Sequence, residues 1–239
     1  AFILATGGAS YPGTGSRGEA LAWLAELGVP ARPWFPALAP IPLAQPRPGF
    51  EGVALRGGRL RLRAGREGRH LAEWAGDVLF TRSGLSGPAA LELSEAVEAA
   101  RRDGAAWLSF APELDKPEDA EAALLEAQRT NPHLSLHNWL QRWLPRRICV
   151  PALEEAGLSP EQRLKDLSRS ARRTLLGLAL DFPLGEPLAV RLEQGEVCAG
   201  GVALSAVDPR TLCLRGWENL RVCGELLDVN GPVGGYNLQ

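Results

Sequence analysis

The chain opens on a short apolar run that breaks on paired glycines, AFILATGG, and closes on a second, NLRVCGELLDVNGPVGG, followed by Tyr-Asn-Leu-Gln. An apolar segment running into glycines predicts a buried strand that enters a tight loop. After the first loop, Leu21, Leu24 and Leu27 fall at helical spacing, and Gly28 stands where a helix C-terminus places glycine. Residues 30–48 are dense in proline among apolar residues. That pattern excludes a helix and predicts a connecting segment that leaves one domain for another.

From Phe50 to Phe80 the pattern changes to short alternating pieces, GVALR, GRLRLRA and GDVLFT, with Gly58 between the first two. This predicts antiparallel β structure with a hairpin at Gly58. AWLSFAPEL (106–114) predicts another strand. From Pro117 to about Leu178 the period is helical, and PEDAEAALLEAQRT begins with proline and acids as helix N-termini do. SPEQ at 159–162 reads as a capping box that starts a basic helix, RLKDLSRSARR, over 163–173. Strands resume after Asp181.

The two ends resemble each other and the middle differs from both, which predicts an α/β domain interrupted by an insertion. The expected division is 1–34 with 214–239, then 35–111 with 179–213, then a helical unit at 112–178. Residues 1–8 and 220–230 are expected to form adjacent strands. A chain that starts in mid-strand and stops in mid-motif reads as a piece of something longer.

Composition narrows the picture modestly. At 239 residues, 45% apolar and 23% charged, the chain can bury a full core, and its net charge of −2 gives no general attraction for nucleic acid or an anionic membrane. Only Lys116 and Lys165 are lysines, and methionine is absent. Four scattered cysteines and three histidines apart from them predict neither a disulfide framework nor a metal site, so a reducing cytoplasm is the expectation. No apolar run reaches the roughly 18–20 residues of a membrane span.

The candidate chemistry sits in the terminal loops. Glycine-rich turns after buried strands leave backbone N–H groups open to phosphate or another electron-rich oxygen. ATGGASYPGTGS (5–16) and NGPVGGYNLQ (230–239) are of this kind, though each also reads as a plain turn. Glu225 and Asp228 can accept hydrogen bonds from ligand hydroxyls such as a ribose or ribityl chain, or serve as solvated or capping acids.

ATGGASYPGTGS, LFTRSGLSGPAALELS (79–94), AGGVALSAVDPRTL (199–212) and GELLDVNGPVGGYNLQ (224–239) stand in an order and spacing that resemble the BaiN/RdsA-type NAD(P)/FAD-dependent oxidoreductases. These are also described as aminoacetone oxidase family FAD-binding flavoproteins. The resemblance spans nearly the whole chain. It lacks the family's N-terminal G-x-G-x-x-G unit and its C-terminal helix. It implies an α/β flavoprotein, a partial two-dinucleotide-binding-domain FAD fold, carrying an inserted β-barrel and a small helical domain. It also implies that Thr6, Gly7 and Gly8 lie near FAD, and that Gly224, Glu225 and Asp228 face its ribityl and pyrophosphate region. Gly234, Gly235, Tyr236 and Asn237 would set a helix N-terminus against the isoalloxazine, favouring the anionic reduced flavin. Tyr11, Thr81, Ser83 and Ser86 are substrate-side candidates, with a bend feeding the next helix as the alternative for the 84–88 stretch. Arg82 stands where the family carries His, and the stretch Thr211–Arg215 lacks the family's acid, so no catalytic residue is assigned.

The expected function is therefore flavin-mediated hydride transfer, reducing a conjugated C=C or oxidising an amine of a small molecule, with NAD(P)H as electron donor. A non-catalytic insert unable to hold FAD is the alternative. A flavin-dependent uridine reductase acting on ribosomal RNA is another, with RNA bound through the helical block at Arg169, Arg172 and Arg173. Given the near-neutral charge of the whole, a solvated helix face is the preferred reading of those arginines. Trp139 and Trp143 at i,i+4 are expected to pack before they stack on bases.

Overall fold

The computed structural model describes residues 1–113 and 117–238. Leu114, the end of the strand expected at 106–114, lies outside the described residues, as do Lys116 and Gln239. In chain order the elements begin with β1 (Phe2–Leu4), α1 (Glu19–Glu26), β2 (Ala31–Ala37), β3 (Ile41–Pro42), β4 (Ala54–Leu55) and β5 (Gly58–Arg63). Next come β6 (His70–Ala75), β7 (Val78–Phe80), β8 (Gly84–Ser86), α2 (Pro88–Asp103) and β9 (Trp107–Pro112). Four helices follow: α3 (Pro117–Thr130), α4 (Leu136–Leu140), α5 (Arg146–Glu155) and α6 (Arg169–Leu180). The chain then returns to strand as β10 (Phe182–Gly185), β11 (Val197–Val202) and β12 (Leu220–Val222).

The ends of the chain meet. β1 pairs in parallel with β12, Phe2 opposite Leu220 through Leu4 opposite Val222. Ala20 and Leu24 of α1 pack with Val202, Val207, Leu214, Val222 and Leu226, so one small core is built from residues near both termini. Leu27 stays exposed, and Ala20 takes the buried place its spacing suggested.

The middle of the chain has its own larger core. Two four-stranded antiparallel sheets, ordered β10-β9-β5-β6 and β3-β8-β7-β4, surround it, and no closed barrel forms among the described residues. Along β5 and β9 the side chains alternate as period 2 requires. Leu60, Leu62, Leu108 and Phe110 face the core, joined by Leu93 and Val97 of α2 and by helical-block residues such as Trp139 and Leu175. Trp139 and Trp143 do pack, with ring centroids 4.5 Å apart.

Three local expectations need correction. The proline-rich 30–48 segment contains β2 and β3, and β2 pairs antiparallel with β11. Among the described residues β2 pairs only with β11, which makes it an edge strand, where proline is tolerated. Gly58 does not turn a hairpin. β4 pairs with β7, whereas β5 pairs with β6 and β9, so the chain passes from one sheet to the other at this point. A Cβ on Gly58 would collide with the Phe110 ring and the Ala111 carbonyl. Finally, SPEQ caps no helix. The carbonyls of Pro160 and Gln162 accept from the first N–H groups of α4, at His137 and Leu136, and draw this stretch into a turn. The basic helix starts later, at Arg169, where Ser168 Oγ accepts from Ala171 N–H.

α2 also carries a buried carboxylate, Glu98, held by two partly exposed arginines and by the loop before β11. The Glu98 side chain on α2 is 2% exposed and accepts from Arg101 (2.8 and 2.9 Å), Arg102 Nε (2.7 Å) and Val190 N–H (3.0 Å). Burial alone would push this carboxyl up, but the arginine and backbone donors outweigh it and hold it at about 2. Arg102 in turn stacks on Phe35 at 4.4 Å. The folded value lies below the ordinary carboxyl value of 4.5, so the stabilisation is complete above that pH and fades as pH falls toward 2. Glu98→Gln is expected to cost about 2–3 kcal/mol at neutral pH, judged by urea unfolding. The penalty should shrink when the same measurement is made at pH 3, and a penalty that does not change with pH would contradict the account.

Candidate functional site

The terminal glycine loops converge on β11, every residue of which is buried. Its path is set by Gly200 and Gly201, with φ of +85° and +119°, where the pairing with β2 shifts register. A Cβ on Gly201 would lie 2.6 Å from the Leu226 carbonyl, and one on Gly200 would overlap the Pro33 carbonyl. Glycine is needed there because two other backbones press against the strand.

At this junction Glu225 holds three separate segments together. Gly8 N–H donates to its Oε2 at 3.2 Å, and Cys198 N–H donates to its Oε1 at 2.7 Å. Gly8 has no room for a side chain, since a Cβ would sit 2.8 Å from the Glu225 carboxyl carbon. Beside it, Ala9 N–H donates to Cys198 Sγ at 3.0 Å. Burial pushes the Cys198 thiol up, the Glu225 charge adds to this, and the Ala9 and Ser10 donors oppose it. Cys198 is thus a protonated thiol at neutral pH and an acceptor rather than a nucleophile. The Ser16 hydroxyl is shared between the Thr6 carbonyl at 2.7 Å and the Gly8 carbonyl, closing the first loop on itself.

The second loop is fixed just as locally. The Asn237 carboxamide closes a ring with Gly231, accepting from its N–H at 2.7 Å and donating to its carbonyl at 2.8 Å. Val233 N–H donates to Glu92 of α2 at 2.6 Å, and the Val233 side chain packs on Leu91, Val197 and Ala199. Gly234 and Gly235 have φ of +118° and +90° and are exposed, and their N–H groups meet no acceptor among the described residues. Tyr236–Leu238 forms a single 3-10 turn.

The structure therefore brings Gly8 and Glu225 into direct contact and sets Gly7 (φ +74°) and Thr6 beside them. Gly224 is exposed at the start of the turn that carries Glu225. Asp228 is paired with Arg32 at 3.2 Å, and its backbone N–H bonds Val202. Tyr11 is 54% exposed, with a left-handed φ of +45°. Thr81 Oγ1 accepts from Gly84 N–H within its own turn, Ser83 is exposed, and Ser86 is half-buried on β8. No hydrogen bond among the described residues joins these three hydroxyls to the glycine loops. Leu91 and Glu92 make the connection from α2 instead.

Cys198 and Arg32 belong to the junction although no local motif marks them; Ser16 and Glu92 lie inside the 5–16 and 79–94 segments, but nothing local there signals their contacts. The one available signal was Gly200–Gly201 inside an apolar run, which points to a bulge or a close backbone approach.

Comparison with known proteins adds the family context. Residues 35–183 match the family model described as the HI0933-like protein barrel and H2TH domain. The ribosomal RNA dihydrouridine synthase of Escherichia coli (strain K12) is 30% identical over 242 residues, covering all of this chain and 57% of the relative. The 3-dehydro-bile acid delta(4,6)-reductase of Clostridium scindens is 29% identical over 249 residues, covering 99% of this chain and 58% of the relative. The ribosomal RNA dihydrouridine synthase of Haemophilus influenzae is 26% identical over 241 residues, covering 100% and 56%. The chain spans a little over half the length of these curated relatives. No described helix is long and apolar enough to cross a membrane.

Removing the Glu225 carboxylate deletes two charge-assisted hydrogen bonds at once. Glu225→Ala is expected to lower unfolding free energy by about 2–3 kcal/mol. Asp228→Ala, which removes an ion pair whose arginine is largely exposed, is expected to cost under about 1 kcal/mol. Urea midpoints for the two variants check this, and equal losses would count against the Glu225 arrangement.

Proposed function

Because this chain belongs to the HI0933-like family, we propose that it forms part of an FAD-dependent oxidoreductase that passes hydride through the flavin to a C=C conjugated with a carbonyl. The observation that carries the reading is that two glycine loops from opposite ends of the sequence meet one buried strand, the first through Glu225 and the second through Val233. The relatives' names support the reaction class. A delta(4,6)-reductase and a dihydrouridine synthase both describe adding hydrogen across a carbon–carbon double bond.

The residues present suit the cofactor in one respect. The outward N–H groups of Gly234 and Gly235, unblocked by Cβ atoms, fit an electron-rich oxygen such as a flavin carbonyl or a phosphate. Thr6, Gly7, Gly8, Gly224, Tyr236 and Asn237 would line the same cofactor, with Asn237 acting through the ring it closes on Gly231. Bound FAD supplies the hydride chemistry, with NAD(P)H as the source of electrons. Glu225 acts as a positioning residue: both its oxygens are engaged by backbone donors, so it sets the approach of Gly8 to β11. We read 1–34 with 214–239 as the flavin-binding part and 35–213 as an insertion that walls the site.

A small-molecule enone and a uracil ring in ribosomal RNA share the required conjugated double bond, and the names of the relatives favour both substrate classes. The purified chain should retain the visible absorbance of flavin through gel filtration after mixing with FAD, and NADPH or NADH should bleach it without air. A protein that stays colourless after FAD treatment would overturn this reading in favour of a non-catalytic insert.

A further inference from the structure

A second site lies away from the glycine loops, on the other face of the β5-β9 sheet. A cleft of about 1030 Å³ opens between this sheet and helices α5 and α6. β5 sends Arg59, Arg61 and Arg63 to this face, with Arg61 opposite Ser109 and Arg63 opposite Trp107 on β9. Arg63 and Ser109 are therefore diagonal neighbours on one surface, within reach for a side chain as long as arginine.

Four buried side-chain atoms of residues lining the cleft make no hydrogen bond among the described residues: Ser109 Oγ, Arg63 Nε, Arg47 Nη1 and Asp181 Oδ1. Arg47 Nη1 and Asp181 Oδ1 still have ion-pair partners, Glu155 at 3.0 Å and Arg61 at 3.5 Å, which leaves Ser109 Oγ and Arg63 Nε without any. Ser109 is 2% exposed, and its hydroxyl makes no hydrogen bond; the buried Arg63 Nε makes none either. Arg63 is nonetheless held in place, because its Nη2 donates to Asp181 at 2.8 Å. A buried donor without an acceptor is a standing cost that a ligand oxygen would remove. Two partnerless donors on residues that line one cleft suit a carboxylate.

The walls limit what else the ligand carries. Arg66 stacks on Trp107 at 5.4 Å, and Arg47 packs on Phe182 at 5.6 Å while pairing with Glu155 at 3.0 Å. Phe182, Pro183, Leu184 and Leu178 add apolar surface. Four carboxylates, Glu67, Glu155, Asp181 and Glu186, line the cleft against three guanidiniums, Arg47, Arg63 and Arg66. That balance disfavours a polyanion such as RNA and tolerates one negative charge placed at the donors.

We infer that this cleft binds a small organic monocarboxylate with a flat apolar body, its carboxylate accepting from Ser109 Oγ and Arg63 Nε. The site is independent of the flavin reading, and no residue of the glycine loops takes part in it.

Isothermal titration of the purified chain with 1-naphthoate tests this, with 1-naphthamide as the uncharged isostere. One-to-one saturable binding is expected, at least about tenfold tighter for the acid, and Ser109→Ala should weaken naphthoate about tenfold. Ser109→Ala removes a hydroxyl that has no partner, so its thermal unfolding should match that of the parent chain. Equal affinity for acid and amide, unchanged affinity in Ser109→Ala, or no heat at millimolar ligand would each overturn the proposal. So would displacement of naphthoate by a single-stranded oligouridylate.

Discussion

The docking of the N-terminal glycine loop on the buried strand depends on one carboxylate. Glu225 accepts from the backbone of residues 8 and 198, so a loop near the start, a strand late in the chain and a turn near the end share a single acceptor group. Hydrophobic packing brings these segments close, since α1, the end of β11 and β12 contribute to one small core. Burial has no direction, however, and does not fix how a glycine loop lies against a strand. The charge-assisted bonds do so, and the missing Cβ at Gly8 allows the approach.

The same division of labour appears across the molecule. The larger core of β5, β9, α2 and the helical block is apolar and close-packed. Its connection to the strand that carries the loops adds polar bonds, from Val190 N–H to Glu98 and from Val233 N–H to Glu92, to the apolar packing of Leu91 with Val197 and Ala199. α2 thus sends one acid to the segment leading into β11 and another to the C-terminal glycine loop. A shift of this helix would move both the segment leading into that strand and the C-terminal glycine loop. In the proposed flavoenzyme these contacts would couple the inserted part to the cofactor loops.

The sequence disclosed the outer logic better than the joints. The apolar runs at 2–4 and 220–222 were legible as strands, and their pairing followed from the likeness of the two ends. The helices of the middle block were legible from their period. Gly58, Ser159 and the proline-rich 30–48 segment were misread because their roles depend on distant partners. Phe110 excludes a side chain at Gly58, the N-terminus of α4 takes the carbonyls of Pro160 and Gln162, and β11 pairs with β2. At the candidate site, Gly8 and Glu225 were legible as chemistry-bearing residues, but their contact with each other was not. Cys198 and Glu92 enter only through long-range backbone bonds that no local spacing encodes.

The convergence at Glu225 is tested most directly by amide hydrogen exchange at Gly8 and Cys198, followed by NMR in the parent chain and in Glu225→Ala. Both amides are expected to exchange slowly in the parent and to lose protection together in the variant, while amides of β5 and β9 keep theirs. Rapid exchange at Gly8 in the parent chain, or protection that survives the loss of the carboxylate, would contradict the account.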